Sequence, residues 1–117
     1  MIILSTTRQF AEFANTTMFV YIDLLKKTQL KNVKHLSKTS DEYLKVRLFN
    51  CLIEEVDLLF KKKLINTTGK TINIKMSDAA GIALYKALLA LPVPRDHFYF
   101  NRVRNLWIEI LDRQIIK

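Results

Sequence analysis

Three residues of the chain, Gly69, Lys70 and Thr71, stand in the order that ends a phosphate-binding P-loop. The complete motif also needs a glycine five residues before Gly69, where this chain has Leu64, and it opens a helix. The residues after Thr71 instead alternate between apolar and polar, which is typical of a strand. We therefore interpret the segment as an ordinary hairpin turn rather than a nucleotide site.

The two histidines, His35 and His97, are the residues that would first suggest a metal site. Neither has a second histidine, cysteine or carboxylate at ligand spacing, and one cysteine cannot build a thiolate zinc site. We expect both to be surface or capping residues, and we expect no cofactor and no metal. A metal site assembled through the fold stays open as an alternative.

The single cysteine and the acidic cluster are the remaining candidates for catalysis. Cys51 lies inside an apolar stretch, which predicts a buried, unreactive thiol. Glu54, Glu55 and Asp57 form the acidic cluster, and Asp57 stands four residues before Lys61 at the spacing of a helical ion pair. A solvated helix face explains this cluster better than an acid–base pair. We predict that the protein is not an enzyme.

Positive charge is the one compositional hint of a ligand. The chain has 19 basic and 11 acidic residues, a net charge of +8, and such a field attracts phosphate polymers. Two windows without acidic residues hold ten lysines that could contact DNA or RNA: Lys26, Lys27, Lys31, Lys34, Lys38, Lys61, Lys62, Lys63, Lys70 and Lys75. We expect the windows at opposite ends of a helical pair, and the charge could equally serve solubility.

Composition predicts one helical domain over residues 1–117. Half of the residues are apolar, and only two glycines and two prolines are present, which favours long helices and argues against disorder. The longest apolar run, Met18 to Ile22, is far too short to cross a bilayer, and the N-terminus does not read as a secretory signal. We expect a cytoplasmic protein that does not engage a membrane.

The stretch from Asp41 to Leu64 predicts a central helix that the rest of the chain covers. Ser40 is its expected N-cap, and its polar residues form one narrow stripe on an otherwise apolar surface. A first helix is expected from Thr7 to Leu30. Its middle, Met18 to Ile22, is apolar on every side, so Phe19 either points outward or is turned inward by a break near Asn15 to Thr17.

The second half of the chain predicts a hairpin followed by two helices. The hairpin pairs Leu64 and Ile65 with residues 71–75, and the segment Met1 to Leu4 could add an edge strand. A third helix runs from Asp78 to Leu91 after the cap Ser77, and Asp96 can cap the fourth. The predicted fold is mainly α, four helices in a compact bundle with a small β-hairpin between the second and third helices.

Surplus apolar surface on these helices favours a non-catalytic interaction or assembly protein, and in particular a homo-oligomer. The partner would be a second copy or another protein. The residues expected at this interface are Met18, Phe19, Ile22, Leu84, Leu88 and Leu91. The alternative is a small basic accessory or regulatory protein that contacts nucleic-acid phosphates through the lysine windows.

Overall fold

The computed structural model describes residues 1–91 and 97–116. The chain begins with strand β1 and then forms one long helix with a π-helical turn in its middle. A second long helix, a second strand and two further helices follow. The elements are β1 (Ile2–Thr7), α1 (Arg8–Phe13), the π-turn (Ala14–Met18), α2 (Phe19–Val33), α3 (Asp41–Asn66), β2 (Thr71–Met76), α4 (Asp78–Ala90) and α5 (Phe98–Ile115).

The π-turn confirms the break that the sequence suggested in the first helix. A π-turn contains one extra residue, so it rotates the following residues around the helix axis. Phe19 is consequently buried, and its ring lies 5.1 Å from that of Phe60. The hydroxyl of Thr16 donates to the carbonyls of Glu12 and Phe13 at 3.1 and 3.2 Å, which supplies partners at the wider turn. The apolar segment therefore faces the core.

The predicted hairpin is wrong, because β2 pairs with the N-terminal strand instead. The two strands are antiparallel, with a register that runs from Ile2 opposite Met76 to Thr7 opposite Thr71. Leu64 and Ile65 remain within α3. Burial alternates along both strands, so one face of the sheet packs on the helices. Strand β1 offers β2 six paired positions, whereas the predicted hairpin would have offered only Leu64 and Ile65. The longer ladder explains why β2 pairs with the N-terminal strand.

Helix α5 completes the sheet at the outer edge of β1. The side-chain amide of Gln114 accepts a hydrogen bond from the backbone N–H of Ile3 at 2.8 Å and donates to its carbonyl at 2.7 Å. It therefore occupies the backbone groups that a third strand would use. Trp107 donates its indole N–H to the hydroxyl of Thr6 at 3.0 Å, which satisfies both groups inside the core.

Helix α3 is the central helix, as predicted, and other helices cover two of its flanks. Helices α2 and α4 pack against it, and Ile53, Val56 and Phe60 lie in the core. Asn50 is also buried, although it belongs to the polar stripe of this helix. The predicted N-cap is confirmed, since the hydroxyl of Ser40 accepts from the N–H of Tyr43 at 3.3 Å.

The last two helices are tied together by two polar contacts. Arg104 donates to the carbonyl of Leu88 at 2.7 Å, near the end of α4. Tyr85 donates its hydroxyl to Asp112 at 2.8 Å. This hydrogen bond, partial desolvation and the negative charge of the carboxylate together raise the pKa of Tyr85 above its ordinary value. Asp96 lies outside the described residues.

Arg8, which follows β1 directly, holds the end of α3 in place. Its guanidinium donates to the carbonyls of Leu64 at 3.2 Å and Gly69 at 2.8 Å, and also to the carbonyl of Thr67. Its backbone N–H donates to the carbonyl of Lys70 at 2.7 Å. A cation here satisfies helix-terminal carbonyls and favours the negative end of the helix dipole.

Replacement of Arg8 by methionine should destabilise the protein by about 2–3 kcal/mol, because several partly covered carbonyls lose a charged donor. Chemical denaturation measures this change. Arg113→Met is the matched control, since Arg113 is exposed and its one ion pair within residues 1–91 and 97–116 is with the exposed Glu109, four residues away. Equal effects of the two substitutions would contradict the role given to Arg8.

Gly81 allows α4 to approach β1, and its substitution tests that contact. A Cβ at this position would lie 2.4 Å from Cδ1 of Ile2 and 3.1 Å from its Cβ. Gly81→Ala should therefore destabilise the protein by about 1–2 kcal/mol, although alanine normally favours a helix. Adding Ile2→Ala should reverse part of the loss in a double-mutant cycle. A stabilising Gly81→Ala substitution would show that the helix and strand can separate freely.

Candidate interaction face

The six residues expected at an interface lie in the core of the single chain. Their side chains are between 0% and 8% exposed: Met18, Phe19, Ile22, Leu84, Leu88 and Leu91. The π-turn brings the first three inward, and α4 turns the other three toward the rest of the fold. These residues could contact a partner only if the core opened, so any interface must use other side chains.

Helix α3 has four exposed large apolar side chains, and two of them lie near its start. Its first nine residues contain no buried side chain, and Leu44 and Leu48 are 51% and 61% exposed. Cys51, which the sequence placed in the core, is exposed on the same outer side of the helix. Leu44, Leu48 and Cys51 are four and three residues apart, so they share one helix face.

Helix α4 continues this apolar surface. Ile82 and Leu89 are 39% and 51% exposed, and Lys86 lies between them on the same side of the helix. A groove of about 400 Å³ runs between the two helices, with Leu48, Phe49 and Leu52 on one wall and Ile82 and Ala83 on the other.

We call this surface the α3–α4 face and define it by six residues that are exposed or half-buried: Leu44, Lys45, Leu48, Ile82, Lys86 and Leu89.

Two lysines flank the groove. Lys45 and Lys86 line both this groove and a second one of about 450 Å³ that continues toward α2. No acidic residue lines either groove, and neither lysine has an ion-pair partner within residues 1–91 and 97–116. The face is therefore an apolar strip with two positive charges beside it.

The first lysine window divides into paired and exposed members. Lys26 is largely covered and lies 3.5 Å from Glu54 and 3.9 Å from Asp23, while Lys27 lies 3.1 Å from Asp23. Lys26 therefore links α2 to α3, whereas Lys27 pairs with a residue of its own helix. The other three are exposed at the connection between the helices and have no ion pair in the described chain: Lys31, Lys34 and Lys38.

The second window lies at the far end of α3. Lys61 pairs with Asp57 at 2.9 Å, and Lys63 is half-buried. The remaining members are exposed: Lys62, Lys70 and Lys75. The two windows are not fully separated, because Lys26 contacts Glu54, which lies seven residues or about 10 Å before Lys61 along α3. Only Lys34 and Lys38, just before the start of α3, lie far along the helix axis from Lys62 and Lys63 near its end.

The other candidate chemical groups do not converge. Gly69 to Thr71 connects α3 to β2, so it opens a strand and not the helix of a P-loop. His35 and His97 are both exposed. Among the described residues, no three histidine, cysteine or acidic side chains are grouped to hold a metal ion. In the same residues, no helix combines the length and apolar character needed to cross a membrane.

The sequence missed the α3–α4 face because both helices are apolar around most of their circumference. Periodicity alone cannot decide which of several apolar faces is covered. The weak signal that could have located the face is the position of Lys45 and Lys86 next to Leu44, Leu48 and Leu89. Charged residues beside exposed leucines are compatible with solvent or with the rim of an interface.

Comparison with known proteins gives no relative to guide the assignment. No protein-family model, no curated protein and no solved structure matches this chain.

Proposed function

We propose that this protein is a non-catalytic interaction subunit that binds another protein chain through the α3–α4 face. The observation that supports this proposal is the row of exposed leucine and isoleucine side chains along two packed helices, beside a groove. Exposed apolar residues that occur singly are normal on soluble proteins, whereas a contiguous patch with polar neighbours is typical of an interaction surface.

The remaining exposed apolar residues are less suitable for an interface. Leu58 and Ile65 lie toward the other end of α3. The rest are spread over β1, α2, α5 and the ends of the described chain: Met1, Ile3, Val20, Leu24, Phe98, Leu106 and Ile116. None of these adjoins a groove with as many aliphatic side chains as the α3–α4 groove. The α3–α4 face is therefore our choice for the contact.

A second function, nucleic-acid binding, is supported by the connection between α2 and α3. Lys31, Lys34 and Lys38 are exposed within eight residues of one another, beside the exposed His35. Lysines in this arrangement can contact phosphates but cannot read bases. The two proposed functions use different surfaces and can be tested separately.

The substitution Leu48→Asp should abolish association while the protein remains folded, because Leu48 is already 61% exposed. Light scattering measures self-association, and affinity purification from the native host measures other partners. Leu24→Asp is the matched control, since Leu24 is 54% exposed on α2. The proposal would be contradicted if Leu48→Asp and Leu24→Asp had the same molar mass by light scattering and captured the same proteins. A charge at Leu84, which is fully buried, would test folding instead.

The triple variant Lys31→Glu, Lys34→Glu and Lys38→Glu tests the second function. Binding to random duplex DNA and single-stranded RNA should weaken, and on duplex the slope of log K against log salt should fall by about 0.9 for each phosphate that the variant no longer neutralises. Fluorescence anisotropy over a series of salt concentrations measures both. The control changes Lys62, Lys70 and Lys75 to glutamate. Unchanged binding by the first variant would exclude the α2–α3 connection.

A further inference from the structure

We infer that the partner of the α3–α4 face is an acidic amphipathic helix of another protein. This inference rests on the proposed function and specifies the occupant of the groove. It is carried by three features of the described residues: the apolar walls, the two unpaired lysines and the helical nature of both walls.

The charge of the occupant follows from Lys45 and Lys86. Both lysines are exposed and line the same two grooves, and no carboxylate lines either groove. Two like charges beside an apolar strip repel each other and favour an anionic partner. A partner with carboxylates next to its apolar residues would match both properties, and a basic or neutral partner would leave the lysines without partners.

The helical form of the occupant follows from the groove walls. An extended peptide gains affinity from backbone hydrogen bonds to a sheet edge, but the walls here are helices whose backbone groups are bonded internally. A helix needs no such bonds, because its apolar residues at positions i, i+3, i+4 and i+7 can lie in the groove. Ala79 to Ala90 of α4 border the grooves over about 18 Å, or roughly three helical turns.

A second copy of the chain fits the face poorly. In a two-fold contact the same patch meets itself, so Lys45 and Lys86 of both copies would face one another. Four lysines would then surround an apolar contact between two chains that each carry a net charge of +8. Repulsion of this kind opposes association unless acidic groups are interposed.

The test is selection from a displayed library of helical peptides of roughly four turns. Each peptide carries aliphatic residues at i, i+3, i+4 and i+7, and glutamate, glutamine or lysine at random elsewhere. We expect the enriched peptides to be acidic. Their affinity, measured by fluorescence anisotropy, should fall about tenfold or more for the double variant Lys45→Glu and Lys86→Glu and should weaken with salt.

The control variant carries Lys62→Glu and Lys70→Glu, two exposed lysines near and beyond the C-terminal end of α3, which changes the net charge equally. Lys62 is about 25 Å from Lys45 along α3, well beyond the screening length at physiological salt, so this variant should bind the peptides nearly as the native protein does. Enrichment of neutral or basic peptides, or equal losses in both variants, would overturn the inference.

The variant Leu48→Asp separates the inference from the proposed function. If the enriched peptides depend on Leu48 but are not acidic, the face binds helices and only its charge preference is wrong. If light scattering shows self-association that Leu48→Asp abolishes, the face is an interface and the occupant is a second copy. If no peptide and no self-association depends on Leu48, both proposals are wrong.

Discussion

The contact of Arg8 with the end of α3 fixes the relative positions of the sheet and the central helix. Its guanidinium and backbone N–H donate hydrogen bonds to backbone carbonyls of residues 64–70. These residues include the last turn of α3 and the connection to β2. The same residue follows β1, so one side chain sets the strand, the helix end and the connection together. Without its guanidinium, the partly buried carbonyls of Leu64 and Thr67 would lose a charged donor, which is costly in free energy.

This anchorage has a consequence for the opposite half of α3. The buried residues of the helix begin only at Asn50, because the sheet and Arg8 hold its C-terminal half while α2 and α4 cover its flanks. The first turns keep one side uncovered, and Leu44 and Leu48 lie there. The α3–α4 face thus arises where the core ends and not from a separate motif. The exposed residues of this face, such as Leu44 and Leu48, are therefore of the same types as the residues of the core.

The charge of the protein is distributed in a way that net charge alone does not show. Lys26, Lys27 and Lys61 are engaged in ion pairs, and Lys26 contacts α3 at Glu54. Lys45 and Lys86, which belong to neither window, are brought to the same groove by the packing of α4 on α3. Positive charge therefore serves several local contacts, and its effect at each place depends on the apolar or acidic groups nearby.

The helices, their N-caps at Ser40 and Ser77, and the possible break that brings Phe19 inward could be predicted from the sequence, because they depend on local periodicity and capping. The pairing of β2 with β1 could not, since strands distant in the chain compete with a local hairpin. Nor could local patterns show which apolar faces are covered. Cys51 and Leu48 differ from Leu84 and Leu88 in their neighbours and not in their local pattern, so burial follows from packing alone.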